Sequence, residues 1–189
     1  RRAEDLAMIM YTSGSTGTPK GVINTHGMLA ANQQQMRQAW PFLADEPPAL
    51  LDWLPWSHVS GACNQFATLC SGGRFYIDAG RPMPGLFEES LRNIKEIPPS
   101  FHINVPFGYA MLADALEQDA ELRQQFFSQL RLALYGGAGL PQALYERFQR
   151  LAVETIGERI FFTTGYGATE TTSGCMSIWF PTERVGIGL

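Results

Sequence analysis

Short apolar runs alternate with longer amphipathic segments along most of the chain, and this alternation is the strongest constraint on its fold. The apolar runs have the length of buried strands, and the segments between them carry apolar residues at helical spacing. One unit follows the next roughly every 20 to 30 residues, a spacing typical of βαβ units. We therefore predict an α/β fold with a mostly parallel sheet and helices on both faces. The predicted strands are 6–11, 49–53, 74–78, 101–105, 130–135 and 159–163, and the predicted helices are 26–39, 61–69, 86–97, 107–116, 120–129 and 141–156.

Three of the predicted strands end in loops of unusual composition. These loops are 12–20, 136–139 and 164–172, and all are rich in glycine, hydroxyl side chains or both. Open parallel sheets bind their ligands at the carboxyl ends of the strands. The three loops are therefore the candidate binding segments.

Composition sets limits on the size and partners of the protein. The chain has 189 residues, of which 45% are hydrophobic, enough to bury a core as one domain. Charged residues make up only 17%, against about 25% in an average protein. This low share indicates either a large interior or a surface that meets further parts of a larger protein.

Charge, hydropathy and cysteine content exclude several function classes from our expectations. The net charge is −4 and no run of Lys or Arg is present, so we expect no nucleic-acid partner. No apolar stretch approaches the roughly 20 residues that span a bilayer, so we expect no membrane association. Cys63, Cys70 and Cys175 are odd in number and scattered, which argues against a disulfide framework and for a reducing cytoplasm.

The first candidate loop lies in the segment YTSGSTGTPKGV, which runs from Tyr11 to Val22. Its glycines allow backbone N–H groups to turn inward and form a concavity for an anion, and its hydroxyls add donors. Lys20 supplies a positive charge, as a polyphosphate requires. A flexible Ser/Gly loop is the alternative. A Walker A loop begun at Gly14 fails, because Pro19 and Gly21 stand where Gly and Ser or Thr belong.

The candidate loop 164–172 contains one glycine on each side of an aromatic residue, followed by a hydroxyl and a carboxylate. Tyr166 can offer a flat face to a purine, and Thr169 can donate to a phosphate. Glu170 can hold Mg²⁺ through its oxygens. The alternative is a turn at a strand end that happens to carry a surface glutamate.

Loops 12–20 and 164–172, in this order, closely resemble the signatures of the adenylate-forming superfamily. This superfamily includes acyl- and aryl-CoA synthetases, peptide-synthetase adenylation domains and luciferases. The resemblance implies that Lys20, Thr169 and Glu170 are catalytic and that Glu170 binds the metal. It also implies ATP and Mg²⁺ as ligands. The residues that it assigns to ATP or AMP are Thr12, Ser13, Gly14, Ser15, Thr16, Gly17, Lys20, Gly136, Gly137, Ala138, Tyr166, Gly167 and Thr169.

The same resemblance extends to two segments on the substrate side. The Gly136-Gly137-Ala138 triplet follows a predicted strand, as a similar triplet does in the superfamily, where it lines the acyl pocket; taken alone it is often just a turn. LPWSHVSG matches the family element P-x-x-H-x-x-G, so the resemblance implies that His58 lies beside the carboxylate. A general-base role is not implied, because a carboxylate is already deprotonated at neutral pH.

The branch that the chain most resembles is that of feruloyl-CoA synthetases, on the segments LPWSH, NVPFGYAMLADALEQDAELRQQFF and LYGGAGLP. That resemblance implies a hydroxycinnamate such as ferulate as substrate and CoA as co-substrate. His58 and Gly137 are the implied pocket residues, and Tyr109 is assigned to the pocket as an aromatic residue. Further aromatic surface could come from Phe101, Trp56 and Phe107, although each of these four aromatic residues is more often a core residue.

The resemblance implies a two-step reaction, in which a carboxylate forms an acyl-AMP that the CoA thiol then attacks. It covers the chain as a partial AMP-binding domain, residues 1–189, without the small C-terminal domain and its lysine. We therefore expect this piece to be inactive or nearly so alone. Two alternatives remain open: an adenylation domain that loads a carrier protein, and a module that binds ATP without turnover. The oligomeric state is not predicted.

Overall fold

The structure is a computed structural model that describes residues 1–13, 17–178 and 182–186. Its centre is a six-stranded sheet in which five neighbouring strands are parallel and an edge strand is antiparallel. This confirms the predicted α/β fold and its mostly parallel sheet. The spatial order of the strands is β4 (Arg74–Ile77), β3 (Ala49–Asp52), β5 (Phe101–Asn104), β6 (Leu132–Tyr135), β7 (Phe162–Ala168) and β8 (Ser173–Ser177).

Apart from the short helix Phe42–Asp45, which was not predicted, the helices begin and end close to the predicted positions, and their termini show why. The Thr25 hydroxyl accepts a hydrogen bond from the Met28 amide, and the Asp119 carboxylate accepts one from the Leu122 amide, so each satisfies a free donor of its helix. Gly157 ends the longest helix in a left-handed conformation, with φ 79°. The helices are α1 (His26–Ala39), α2 (Phe42–Asp45), α3 (Val59–Cys70), α4 (Phe87–Glu96), α5 (Pro106–Gln118), α6 (Ala120–Ser128) and α7 (Gln142–Ile156).

The sheet buries both faces, as the near-continuous apolar character of its strands requires. In β6, Leu132 packs toward α1 and α2, whereas Ala133 and Tyr135 pack toward α4 to α7. The face toward α4–α7 is the larger core and is rich in aromatic rings. Tyr109, Phe148 and Phe162 contact one another there, with ring centroids 4.7 to 5.4 Å apart.

The first predicted strand is present, but it lies outside the main sheet. β1 (Leu6–Thr12) pairs with β2 (Lys20–Thr25) in a separate two-stranded antiparallel sheet. The prediction of a buried strand at 6–11 was wrong, because Met10 is the one buried residue of β1 and Tyr11 is 73% exposed. A continuous apolar run is typical of a buried parallel strand. Here the run is paired locally by β2, which the sequence analysis did not predict.

The predicted loop 164–172 is for the most part regular structure. β7 continues to Ala168, a 3-10 turn follows over Thr169–Thr171, and β8 returns antiparallel to β7. The two glycines of this segment are typical of a loop, but here they allow a close approach: a Cβ on Gly165 would lie 2.8 Å from the Met176 carbonyl oxygen. Among the described residues, no helix is long and apolar enough to cross a bilayer.

Candidate active site

A cavity of about 550 Å³ opens at the carboxyl ends of the parallel strands, on the face covered by α1 and α3. Its volume lies within the range of small-molecule sites, roughly 300 to 1,000 Å³. The structure brings six of the predicted site residues together on its wall, from three separate strand ends. These six are His58, Gly136, Gly137, Tyr166, Gly167 and Thr169.

The rest of the cavity wall is partly aromatic and apolar. Trp40 and Phe101 meet edge to face, with ring centroids 5.9 Å apart, and both line the cavity. Phe101, expected from the sequence to be more often a core residue, is 3% exposed within a core cluster and also lines the cavity. Further lining residues are Gln35, Met36, Ala39, Val59, Ser60, Cys63, Asn64, Ile103, Leu134, Gly165, Ala168, Ser173, Gly174, Cys175, Met176 and Ser177.

Three aromatic residues named in the sequence analysis do not line this cavity. Tyr109 is fully buried in the opposite core, and its hydroxyl donates to the Leu134 carbonyl oxygen at 3.0 Å. Its assignment to the substrate pocket is therefore corrected, because α5 packs on the other face of the sheet. Trp56 and Phe107 are 47% and 59% exposed and lie outside the cavity wall.

His58 is positioned by the start of α3. Its Nδ1 accepts a hydrogen bond from the Ser60 amide at 3.2 Å, so the ring caps the helix and its Nε2 carries the proton. Gly61 fits this turn because it has no Cβ. A Cβ there would lie only 2.8 Å from the Leu54 carbonyl oxygen, which is too close. An N–H donor at Nε2 suits a carboxylate oxygen and does not suit a base.

Asp52 and Asn64 hold the loop before α3 in place through hydrogen bonds, and neither was predicted from the sequence. The Asp52 carboxylate accepts from the Leu54 amide and from the Asn64 side chain, each at 2.9 Å. Burial raises the pKa of Asp52, and the hydrogen bond from Asn64 partly offsets this. A charged side chain at the end of an otherwise apolar strand is the signal that could have identified Asp52.

Backbone geometry explains the glycines after β6. Gly137 has φ +81°, in the left-handed region that L side chains rarely adopt. The Gly136 amide donates to the Asn104 carbonyl oxygen at 3.2 Å and so continues the β5–β6 ladder. Ala138 is exposed and does not line the cavity, so this structure does not place it beside the other two.

The segment Tyr166–Thr171 joins strand and turn at the cavity mouth. Tyr166 is 58% exposed and lines the cavity, so its ring is accessible to a ligand. The Thr171 hydroxyl accepts from the Ala168 amide at 2.8 Å and donates to the Ser173 carbonyl oxygen at 2.9 Å, which holds the turn closed. Thr171 was not predicted to have this supporting role.

Glu170 projects from that turn as an exposed carboxylate. No group of three or more His, Cys, Asp or Glu side chains converges on a point within the described parts of the chain. Mg²⁺ commonly takes one or two protein carboxylates and completes its shell with water and substrate phosphates. A single exposed glutamate fits that mode of binding in its number of carboxylates.

The first candidate loop is the connection of the β1–β2 hairpin. Thr12 and Lys20 face each other in the last pair of the ladder, and Gly17 has φ +80° in the connection between them. Ser13 and Lys20 are exposed, and neither lines the 550 Å³ cavity. Gly14, Ser15 and Thr16, also predicted to bind phosphate, lie outside the described residues.

Comparison with known proteins identifies relatives for the whole chain. A family model described as AMP-binding enzyme matches residues 1–189. The chain is 31% identical over 172 residues to a long-chain-fatty-acid–CoA ligase of Salmonella typhimurium, a match that covers 89% of the chain and 28% of the relative. A ligase of the same name from Thermus thermophilus is 30% identical, over 86% of the chain and 27% of the relative.

Solved structures show the same architecture. A malonyl-CoA ligase in a ternary product complex with methylmalonyl-CoA and AMP superimposes with a TM-score of 0.76 at 26% identity, over 100% of this chain and 38% of that one. The ATP-bound MatB of Rhodopseudomonas palustris gives a TM-score of 0.70 at 28% identity, over 98% of this chain and 33% of that one. The chain thus spans about a third of the proteins that it matches.

Proposed function

Because the chain belongs to the AMP-binding enzyme family, we propose that it forms the nucleotide- and acid-binding part of an acid–CoA ligase. The ligase would use ATP to convert a carboxylic acid to an acyl-AMP and then to an acyl-CoA. The observation that carries the proposal is the shared cavity. There, His58, the Gly136-Gly137 pair and Tyr166 meet at the carboxyl ends of three strands.

In the first step, a carboxylate oxygen of the acid attacks the α-phosphorus of ATP. A bond forms between that oxygen and phosphorus, and the bond to the bridging oxygen of pyrophosphate breaks, so pyrophosphate leaves with its electron pair. In the second step, the CoA thiol loses its proton to solvent and its sulfur forms a bond to the acyl carbon. The bond between that carbon and the AMP oxygen breaks, so AMP leaves with its electron pair. The protein's contribution is mainly positioning and neutralisation of charge.

Each candidate residue has a role suited to its place. His58 Nε2–H would donate to the carboxylate of the acid, and Thr169 would donate to the nucleotide phosphate. Tyr166 would stack on the adenine. Lys20, with the hydroxyls of Thr12 and Ser13, would bind the leaving pyrophosphate. Mg²⁺ held by Glu170 and phosphate oxygens would offset the negative charge that grows on the leaving group.

For the acid, we propose an aromatic carboxylate of the hydroxycinnamate class, such as ferulate. The edge-to-face pair of Trp40 and Phe101 supports this choice, because such rings favour offset or edge contacts with a further ring. The relatives named above carry other acids in their names, long-chain fatty acids and malonate, so the class of acid has to be tested directly.

The test uses the complete gene product with ATP, Mg²⁺ and CoA, and follows AMP release for a panel of acids. The panel contains ferulate, coumarate, a long-chain fatty acid, malonate and acetate. We expect the hydroxycinnamates to give the highest kcat/KM. Higher values for the fatty acid or malonate would refute the substrate class, and ATP binding without AMP release for any acid would refute the ligase.

The residue roles are tested by two substitutions with matched controls. Lys20→Ala and Glu170→Ala should each lower kcat for acyl-AMP formation about 10²-fold, the effect of removing one group that stabilises a transition-state charge. Lys95 is the matched lysine, since it pairs with Asp119 and Glu121 on the opposite side of the sheet. Glu158, an exposed glutamate after α7 that does not line the cavity, is the matched carboxylate. Lys95→Ala and Glu158→Ala should leave kcat unchanged. Equal rates for the Lys20 and Lys95 variants would contradict the assignment.

A further inference from the structure

One buried hydrogen bond joins the two segments that carry the phosphate-binding residues. The Thr172 hydroxyl donates to Oδ1 of Asn24 at 2.8 Å, across 148 positions of sequence. Asn24 is 0% exposed and Thr172 is 2% exposed. Two polar side chains buried this completely incur a desolvation cost that their mutual hydrogen bond offsets.

The backbone at Thr172 is strained. Its φ of 56° and ψ of 50° are left-handed, and Ser173 follows with φ 80°. A β-branched residue is an outlier in this region, and such a residue persists where its surroundings hold it. Thr172 is held at three points, because its amide also donates to the Thr169 carbonyl and its own carbonyl accepts from the Cys63 thiol at 3.6 Å.

The two partners occupy different elements. Asn24 lies on β2, four residues after Lys20, and therefore near the base of the hairpin whose tip is the first candidate loop. Thr172 directly follows the 3-10 turn that presents Thr169 and Glu170. The hairpin is not hydrogen-bonded to the main sheet by any strand pair in the part of the chain that the structure describes. Within residues 1–13, 17–178 and 182–186, Asn24–Thr172 is the one hydrogen bond between the hairpin and the β7–β8 segment.

We infer that Asn24 and Thr172 are positioning residues, whose hydrogen bond sets the orientation of the Lys20 hairpin relative to the Thr169–Glu170 turn. The inference rests on the proposed function, since it takes ATP as the ligand that both segments contact. A hydrogen bond is directional, whereas apolar contact of the same shape is not. The pair therefore adds a directional constraint between the two elements, beside the hydrogen bond that the Asn32 side chain of α1 donates to the Gly174 carbonyl oxygen at 2.7 Å.

Three single variants of the complete gene product test the positioning role. Thr172→Val removes the hydroxyl but keeps the β-branched shape and the same backbone strain, and Asn24→Leu removes the acceptor. Each should raise KM for ATP about tenfold, because the buried partner is left unpaired and the hairpin shifts. KM for the acid should change less than twofold. Thr172→Ser retains the hydroxyl and should behave as the wild type.

The double variant Asn24→Leu/Thr172→Val distinguishes a positioning role of the hydrogen bond from a purely stabilising one. Replacing both partners of a buried hydrogen bond with apolar groups of similar shape is nearly neutral for stability. We expect the urea midpoint of the double variant to return to the wild-type value while KM for ATP stays about tenfold raised, since the directional contact is still missing. A KM that recovers together with the midpoint would overturn the inference.

The control is Thr68→Val in α3. Thr68 is 1% exposed and its hydroxyl donates to the Asn64 carbonyl at 2.8 Å, so the same substitution removes a buried hydrogen bond within one helix. It should lower the midpoint without changing KM for ATP. An equal rise of KM in this control would also overturn the inference.

Failure of the proposed function has a separate signature. If the wild type releases no AMP with any acid, the ligase proposal fails, and the same variants are compared by equilibrium binding of Mg²⁺·ATP. The positioning role of Asn24 and Thr172 is still supported if the dissociation constant for Mg²⁺·ATP rises about tenfold in Asn24→Leu and in Thr172→Val but not in Thr172→Ser. An unchanged dissociation constant overturns it.

Discussion

The sheet face beneath α4–α7 and the β1–β2 hairpin are built in opposite ways. Beneath α4–α7, Tyr109, Phe126 and Phe148 are 0% exposed, and the Phe148 ring lies against both of the others, with centroids 5.3 and 6.3 Å away. On the hairpin, Ile9 and Tyr11 are 48% and 73% exposed, and a two-stranded sheet by itself is at most marginally stable. The difference indicates that the core face supplies the stability, while the loop proposed to bind phosphate sits on the less stable element. Regions that bind ligands often come from the low-stability end of a structure.

The largest test of this comparison is Phe148→Ala. Phe148 is fully buried, and its ring lies 5.3 Å from Tyr109 and 5.4 Å from Phe162. Truncating it should lower the free energy of unfolding by about 3–5 kcal/mol, since it removes buried area and leaves a cavity. Urea denaturation followed by circular dichroism measures this. Phe148→Leu is the control and should cost clearly less; a cost below about 1 kcal/mol for Phe148→Ala would refute the central place of this face.

A second prediction concerns pH and the same core face. His102 is 5% exposed, lies edge-on to Tyr109 and Phe126, and has no hydrogen-bond partner for either ring nitrogen among the described residues. Burial lowers the pKa of His102 to about 4, and the charge of Asp78 partly opposes this. The unfolded chain, with an ordinary pKa near 6.5, therefore binds the proton more tightly than the folded chain does.

The contribution of His102 is thus constant above about pH 6.5 and is lost as the pH falls from there toward 4. Between pH 7 and pH 4 the free energy of unfolding should drop by about 3 kcal/mol from this group alone. His102→Phe should abolish that part of the loss, so the measurement is the difference between the two proteins at each pH. Parallel pH profiles for wild type and variant would contradict the prediction.

Asp52→Ala tests the boundary between core and cavity. The substitution leaves the Leu54 amide and the Asn64 side chain without their acceptor, in a site where Asp52 is 3% exposed. We expect a loss of about 2 kcal/mol in the free energy of unfolding. In the complete gene product KM for the acid should rise, because the same loop positions His58. Asp52→Asn keeps one acceptor oxygen and should cost less than Asp52→Ala in both measurements.

The smallest expected effect is that of Ile9→Ala on the hairpin. Ile9 is about half exposed and faces Ile23 across the ladder, so its truncation should cost less than about 1 kcal/mol. Hydrogen exchange should also be faster at the amides of β1 and β2 than at those of β5 and β6. A cost as large as that of Phe148→Ala, or equal protection in both regions, would remove the distinction between them.

Much of the fold could be predicted because its signals are local. α1 and α4–α7 fall within a few residues of their predicted ranges, since helical spacing, capping residues and prolines stand next to one another in sequence. The strands β2 and β8 were missed, as was the short helix α2. β2 follows directly on a Gly- and Pro-containing loop, and β8, with the sequence SGCMS, has neither alternation nor β-branched residues. Both strands exist because of the partner that they pair with.

The same distinction, between local sequence signals and contacts with distant partners, applies to the candidate site. The sequence by itself determined which segments carry the proposed chemistry, because a binding loop needs particular residue types at adjacent positions: His58, the Gly136-Gly137 pair and Tyr166–Thr169 all reach one cavity. Only the tertiary structure decided that Tyr109 belongs to the opposite core and that Phe101 reaches the cavity. It also decided that Asn24 meets Thr172. Those outcomes depend on which face of the sheet each element packs against, and contacts across more than a hundred residues leave no local pattern in the chain.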